Sequence, residues 1–221
     1  MKKTNNINKV VLAIVGFWLI FSVSVFSAEI AKVAKKNPYT MIQKVAGITF
    51  KRFADEHRLI RANPNLLKTI INEELLPYID YKYSAYKVIG AKNFKSTTAQ
   101  ERKEFVPVFR DYYVTSLAQV FTLYNNQKVE FAPAKNLTNE KIVAVDTLVI
   151  EPGRNPISIS FRVRKNTKTN DWKAYDMVAE GVSLLDSKQA ELASIIRQKG
   201  LPYVTEMLKK KSIQNITFKK L

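Results

Sequence analysis

Asn170-Asp171-Trp172-Lys173-Ala174-Tyr175-Asp176-Met177-Val178-Ala179-Glu180-Gly181-Val182-Ser183 is a strand-forming run that ends in a glycine turn. Trp172 to Ala179 is the strand, and Lys168 to Asp171 is the turn that precedes it. Immediately upstream, Ile157, Ile159, Phe161 and Val163 alternate with Ser158, Ser160, Arg162 and Arg164, the pattern of a half-buried strand. Pro152-Gly153-Arg154-Asn155 is a turn cluster. Before it, Lys141 to Ile150 is dense in β-branched residues, and Lys128 to Phe131 alternates with Val129 and Phe131 on one face. Short turns between consecutive strands make neighbours antiparallel. The sequence therefore predicts a twisted four-stranded antiparallel meander.

Both flanks of the meander read as helix. Asn37-Pro38 is an N-cap with proline at the first helical position, and it opens a helix to about Glu56. Ile42, Val45, Ala46 and Phe53 share one side of that helix. Asn63-Pro64 repeats the start signal before the amphipathic run Leu66, Leu67, Ile70, Ile71, Leu75 and Leu76, with Pro77 marking its end or a kink. A short helix from about Asp80 to Ile89 closes at Gly90. Thr98 and Glu101 form a capping box that starts the longest helix, predicted to reach about Tyr124. Along it Phe105, Phe109, Tyr112, Tyr113, Ser116, Leu117, Val120, Phe121 and Tyr124 recur at spacings of three and four, and Pro107 is placed to bend its early turns. Two more helices are predicted at about 187–199 and 202–211. Helices, then strands, then helices make an α+β chain.

The N-terminus reads as an export signal. Lys2, Lys3 and Lys9 form a basic region, and Val10 to Phe26 is an uncharged apolar run followed by Ser27. The expectation is a signal peptide over residues 1–27 and one domain over 28–221, with the mature chain starting at Ala28 or Glu29. The alternative is an uncleaved anchor, for which the run is at the short edge of a spanning length. The chain has no cysteine, so stability must come from an ordinary hydrophobic core. It carries 36 basic and 19 acidic residues. Removal of residues 1–27 takes three lysines and no acid, leaving 33 against 19, a charge of +14. Such a field favours anionic partners, which for an exported protein are lipid head groups and acidic proteins rather than nucleic acid.

Enzyme chemistry is poorly supplied. His57 is the single histidine, so neither a Ser-His-Asp relay nor a zinc site is well served. The six glycines form no phosphate-binding loop. Glu73 and Glu74 are adjacent on a helix and point in different directions. Asp176 or Glu180 could act as a proton-transfer base in a sheet-lined pocket beside Tyr175. The competing reading is that they cap the Gly181 turn or pair with an arginine. The apolar stripes, read from pattern alone, fill an ordinary helix-on-sheet core.

The run 170–183 resembles the C-terminal signature of the MlaC family of periplasmic phospholipid-binding proteins, also called the toluene-tolerance family. Arg61-Ala62-Asn63-Pro64, Glu73-Glu74-Leu75-Leu76-Pro77-Tyr78 and Lys82-Tyr83 support the resemblance in order and spacing, and it covers nearly all of the chain after residue 36. The family pattern has an aromatic before the Arg164-Lys165 pair, where this chain has Val163. The resemblance implies a binding protein rather than an enzyme, with an NTF2-like arrangement of helices and curved sheet around an apolar cavity. It implies that no cofactor or metal is held, and that the cargo is a glycerophospholipid shuttled between outer and inner membranes. The expected lining is Val88 before the long helix, Leu117, Val120, Phe121 and Tyr124 on it, Ile157, Ile159, Phe161, Val163 and Met177 on the sheet, and Val182, Leu184 and Leu185 after the glycine turn. The implied partners are MlaD-type subunits of an inner-membrane ABC transporter, which supplies the energy, and an MlaA-type outer-membrane lipoprotein with its porin. The implied compartment is the periplasm of a Gram-negative cell.

Overall fold

The computed structural model describes residues 33–218. The expected signal peptide lies outside the described residues. The chain opens with helix α1 (Pro38–Asp55), where the Asn37 side chain accepts hydrogen bonds from the Tyr39 and Thr40 N–H groups. A short helix α2 (His57–Ala62) and α3 (Leu66–Ile70) follow. The start expected at Asn63-Pro64 slips to Leu66, because the Asn63 side chain closes a turn onto the Asn65 N–H instead. The amphipathic run does not continue as one α-helix. It widens into a π-helical turn (Ile71–Leu75) and tightens into a 3-10 turn (Leu76–Tyr78) at Pro77. The widened turn also corrects the reading of Glu73 and Glu74. Both carboxylates reach the Arg52 guanidinium, at 2.6 and 2.7 Å, and Glu56 takes its Nε at 2.7 Å.

Helix α4 (Tyr81–Ile89) is capped by Asp80 and stopped by Gly90, and α5 (Ala91–Ser96) follows. Helix α6 (Ala99–Phe121) has the complete Thr98–Glu101 capping box, and Pro107 does not end it. The sheet is β1 (Lys128–Phe131), β2 (Ile142–Ile150), β3 (Ile157–Lys165), β4 (Trp172–Ala179) and β5 (Val182–Ser183), antiparallel in sequence order. There are thus five strands rather than four, because Gly181, at φ +79°, folds two further residues back onto β4. Helix α7 (Leu184–Ser212) begins three residues earlier than expected, with Ser183 as its N-cap. It is broken at Gly200, which replaces the gap expected between two helices.

The outer edge of β4 is covered along its length. Trp172 N–H donates to the Lys35 carbonyl, Asp80 N–H to the Ala174 carbonyl, and β5 pairs with Val178 and Ala179. An edge so covered offers no strand template to another chain. Three apolar clusters hold the layers together. One joins α4, α6 and α7 around Phe105, Phe109, Leu192 and Leu201. Another packs Met41, Ile42 and Val45 of α1 against Val145, Val163 and Trp172 of the sheet. The third gathers Phe53, Leu67, Ile71 and Val114. Among the described residues no helix is long and apolar enough to cross a membrane.

Candidate functional site

The site follows from a break in the period of β4. Strict alternation would place Tyr175 and Asp176 on opposite faces, one buried and one exposed. The register against β3 instead runs Asp176↔Arg162 and then Ala174↔Val163, so Tyr175 is the extra residue of a bulge. Both Tyr175 and Asp176 are buried, at 8% and 4% exposure. Successive residues Tyr175, Asp176 and Met177 thereby border one hollow.

That hollow has a volume of about 310 Å³ and lies between β4, α6 and the first turns of α7. Val88, Phe109, Leu117, Leu185 and Met177 form its apolar interior. Tyr112 and Ser116 of α6 face Ser187, Lys188 and Glu191 of α7 across its polar mouth. Lys188 Nζ pairs with Glu191 and sits 5.3 Å from the centre of the Tyr112 ring. Burial works against its charge, but the bonds to Glu191 and Tyr112 prevail and hold its pKa above the ordinary lysine value. Past Tyr112, Ser116 and Val120, a more open hollow of about 390 Å³ continues to Gln119, Lys211 and Asn215.

On its inner side the first hollow meets a second of about 170 Å³, almost wholly apolar. Ile42, Val45 and Ala46 of α1 border it, with Ile159, Phe161 and Ala174 of the sheet and Leu75, Tyr78 and Ile79 of the intervening turns. Tyr113, Leu117, Val120, Asp176 and Met177 line both hollows, so the two adjoin at these residues; the pair is called the cleft and their shared border its neck. Volumes of a few hundred Å³ with apolar walls and few polar groups are those of ligand sites.

The cleft collects most of the expected lining. Val88, Leu184 and Leu185 border the first hollow, Phe121, Ile159 and Phe161 the second, and Leu117, Val120 and Met177 both. Four residues are placed elsewhere. Tyr124 stacks on Phe50 at 4.7 Å in the aromatic group with Phe53 and Phe121. Val163 is fully buried in the α1–sheet cluster, where its small side chain fills space between Val143 and Ala174. Ile157 and Val182 are 46% and 57% exposed, one at the start of β3 and one on the two-residue strand β5. Strand ends outrun the helical layer, so alternation no longer means burial there. Tyr112, Tyr113 and Tyr175 also border the first hollow, as do Lys188 and Glu191 at its mouth, and none of these is in the expected lining. The tyrosines carried a helical or strand period that any core residue shares, and Lys188 and Glu191 carried no signal apart from ordinary charge.

Asp176 acts on structure. Its Oδ1 accepts the Leu185 N–H at 3.0 Å, and its Oδ2 accepts Ser183 Oγ at 2.7 Å and Arg162 at 3.2 Å. A carboxylate at the first turn of α7 also gains from the helix dipole. Glu180 accepts the Ser158 N–H and stands in left-handed backbone at φ +49°. Asp176 thus closes the β4–β5–α7 corner, and Glu180 ties the end of β4 to the start of β3. Exposed His57 meets Arg61 at 3.5 Å. Among the described residues no group of three His, Cys, Asp or Glu side chains is placed to hold a metal ion.

The family model of the MlaC protein matches residues 43–210, a span that contains every lining residue of both hollows except Ile42. The chain belongs to the MlaC family. It is 31% identical over 201 residues to the intermembrane phospholipid transport system binding protein MlaC of Haemophilus influenzae, a match covering 90% of this chain and 94% of that one. Its fold is that of a phospholipid-binding protein from Ralstonia solanacearum solved in complex with a phospholipid. The TM-score is 0.69 at 18% identity, over 80% of this chain and 97% of that one. In MlaC-family terms, the α+β architecture and antiparallel sheet expected from residues 128–183 are those of the structure.

Proposed function

We propose that this chain is a periplasmic carrier that shuttles a glycerophospholipid between the outer and inner membranes of a Gram-negative cell. The observation that carries this reading is the pair of adjoining hollows, whose interior is apolar and whose mouth holds Lys188 beside Glu191. A glycerophospholipid has the same order along its length, acyl chains at one end and phosphate at the other. Two acyl chains hold on the order of 30 methylenes, and exposing them would cost roughly 25 kcal/mol at about 0.8 kcal/mol each. An apolar cleft removes that cost, so exchange with a bilayer is close to balanced. The carrier then needs no nucleotide of its own. Energy enters through a partner, the MlaD-bearing ABC transporter of the inner membrane, and an MlaA-type lipoprotein with its porin is the outer-membrane partner. The exposed apolar residues near the mouth, Val120, Leu123 and Leu184, suit such docking. Residues 1–27 serve as the export signal and 28–221 as one lipid-binding domain.

Solvent extraction of the purified protein followed by mass spectrometry tests the reading. Diacyl glycerophospholipid near one molecule per chain is expected. A protein that arrives empty and cannot be loaded from vesicles would refute it, and activity of that empty protein on a small ketone would instead favour a pocket enzyme.

A further inference from the structure

Five residues line both hollows at the neck, and among them Tyr113 alone carries a side-chain hydrogen-bond donor. Its ring is fixed against Phe109, with centroids 6.0 Å apart and planes 25° apart. The hydroxyl has no partner among the described residues, yet no fully enclosed side-chain oxygen is left unpaired. The hydroxyl therefore keeps open surface, and because the half-buried side chain borders both hollows that surface is assigned to the cleft. Asp176 is nearby but already accepts three hydrogen bonds. Burial, together with the Asp176 charge, pushes the Tyr113 pKa up to about 12, so the hydroxyl remains a donor at physiological pH.

We infer that the Tyr113 hydroxyl donates to an acyl ester carbonyl of the bound glycerophospholipid and so sets how deep the cargo sits. The inference rests on the lipid-carrier reading. Tyr113 follows Tyr112, whose ring meets Lys188 at the mouth, and adjacent helical residues differ by only about 1.5 Å in height. Between a cation at the mouth and hydrocarbon walls inside, the group a glycerophospholipid presents is its ester. An ester accepts hydrogen bonds and donates none, which suits a site holding a donor. Leaving a buried donor unpaired is the costly outcome, so the hydroxyl also discriminates against cargo without a carbonyl at this level.

The test compares two phospholipids of equal chain length and head group, one diacyl ester and one dialkyl ether, on delipidated full-length protein. The native protein should bind the ester about five-fold more tightly relative to Tyr113→Phe, the worth of one neutral hydrogen bond. Tyr113→Phe should bind the ether lipid at least as tightly as the native protein does, because it leaves no donor unpaired beneath that cargo. Its fold is not at risk from a lost hydrogen bond, since the hydroxyl has no protein partner. Infrared spectra of lipid carrying labelled ester carbons give a second readout. The bound carbonyl stretch should lie lower in the native protein than in Tyr113→Phe. Equal ester preference in the two proteins, or equal carbonyl frequencies, would overturn the inference while leaving the carrier reading standing. Failure of both lipids to bind either protein would overturn both.

Discussion

Asp176 shows how one buried charge fixes a corner of the chain. Its three hydrogen bonds tie β4 to the N-cap and first turn of α7, and Arg162 balances its charge. Replacing it with alanine leaves Ser183 Oγ–H and Leu185 N–H without their acceptor, and leaves Arg162 with Asp186, at 3.4 Å, as its remaining carboxylate. Because Arg162 is 39% exposed and can turn to water, the cost should be moderate, about 2–3 kcal/mol. Urea unfolding of Asp176→Ala measures it, and a change within 0.5 kcal/mol would deny the structural role. Tyr113 gives a second expectation at this scale. Its folded pKa of about 12 lies above the ordinary value near 10, so the fold favours the neutral hydroxyl. That stabilisation is complete below pH about 10 and is lost as pH rises through about 12. The native protein should therefore lose more stability between these pH values than Tyr113→Phe does, by roughly 1 kcal/mol after allowance for relaxation. Parallel slopes for the two proteins in pH-dependent unfolding would contradict it.

The elements owe their ends to a few positions where the backbone leaves ordinary geometry. Gly200 has φ +81° and ψ 164°, a region essentially closed to residues with a Cβ. It breaks α7 into two segments, so that Leu192 and Ile196 before the break and Leu201, Val204 and Leu208 after it pack into the same cluster. Gly200→Ala should cost about 1–3 kcal/mol through strain alone, since little crowds the new methyl beyond Pro202 Cδ at 3.5 Å. A thermal midpoint equal to that of the native protein would show that the break tolerates a side chain. The bulge in β4 has the opposite effect. It adds a residue rather than a sharp joint, and it turns the strand so that three consecutive residues reach the cleft.

At the scale of the whole molecule, two forces act over different ranges. The chain carries a net charge of +17, dispersed along its length. Attraction of such charge to an anionic bilayer is screened over about 8 Å at physiological ionic strength. Burial of acyl chains in the cleft is nearly insensitive to salt of that strength, or slightly favoured by it. Raising salt should therefore slow lipid delivery to anionic vesicles, followed by transfer of a labelled lipid, while the amount already bound stays constant. Bound lipid that falls in step with the rate would mean that head-group charge contacts, rather than the apolar cleft, retain the cargo.

Residues 128–183 by themselves determined an antiparallel meander, because a half-buried strand must alternate and a short turn must return the chain beside itself. The caps at Asn37 and Thr98 likewise determined where two helices begin, since each satisfies its own backbone donors locally. The family signature around Asp176 was equally legible in one dimension. Only the tertiary structure decided which apolar residues border a hollow and which fill a core. Ile159 and Val163 carry the same alternation on the same strand, yet Ile159 borders the cleft and Val163 is sealed against α1. That choice depends on the gap between α6 and the sheet at each level, which is set by how neighbouring layers meet. Periodicity reports the face a residue occupies, but it holds no information about the distance to whatever lies opposite.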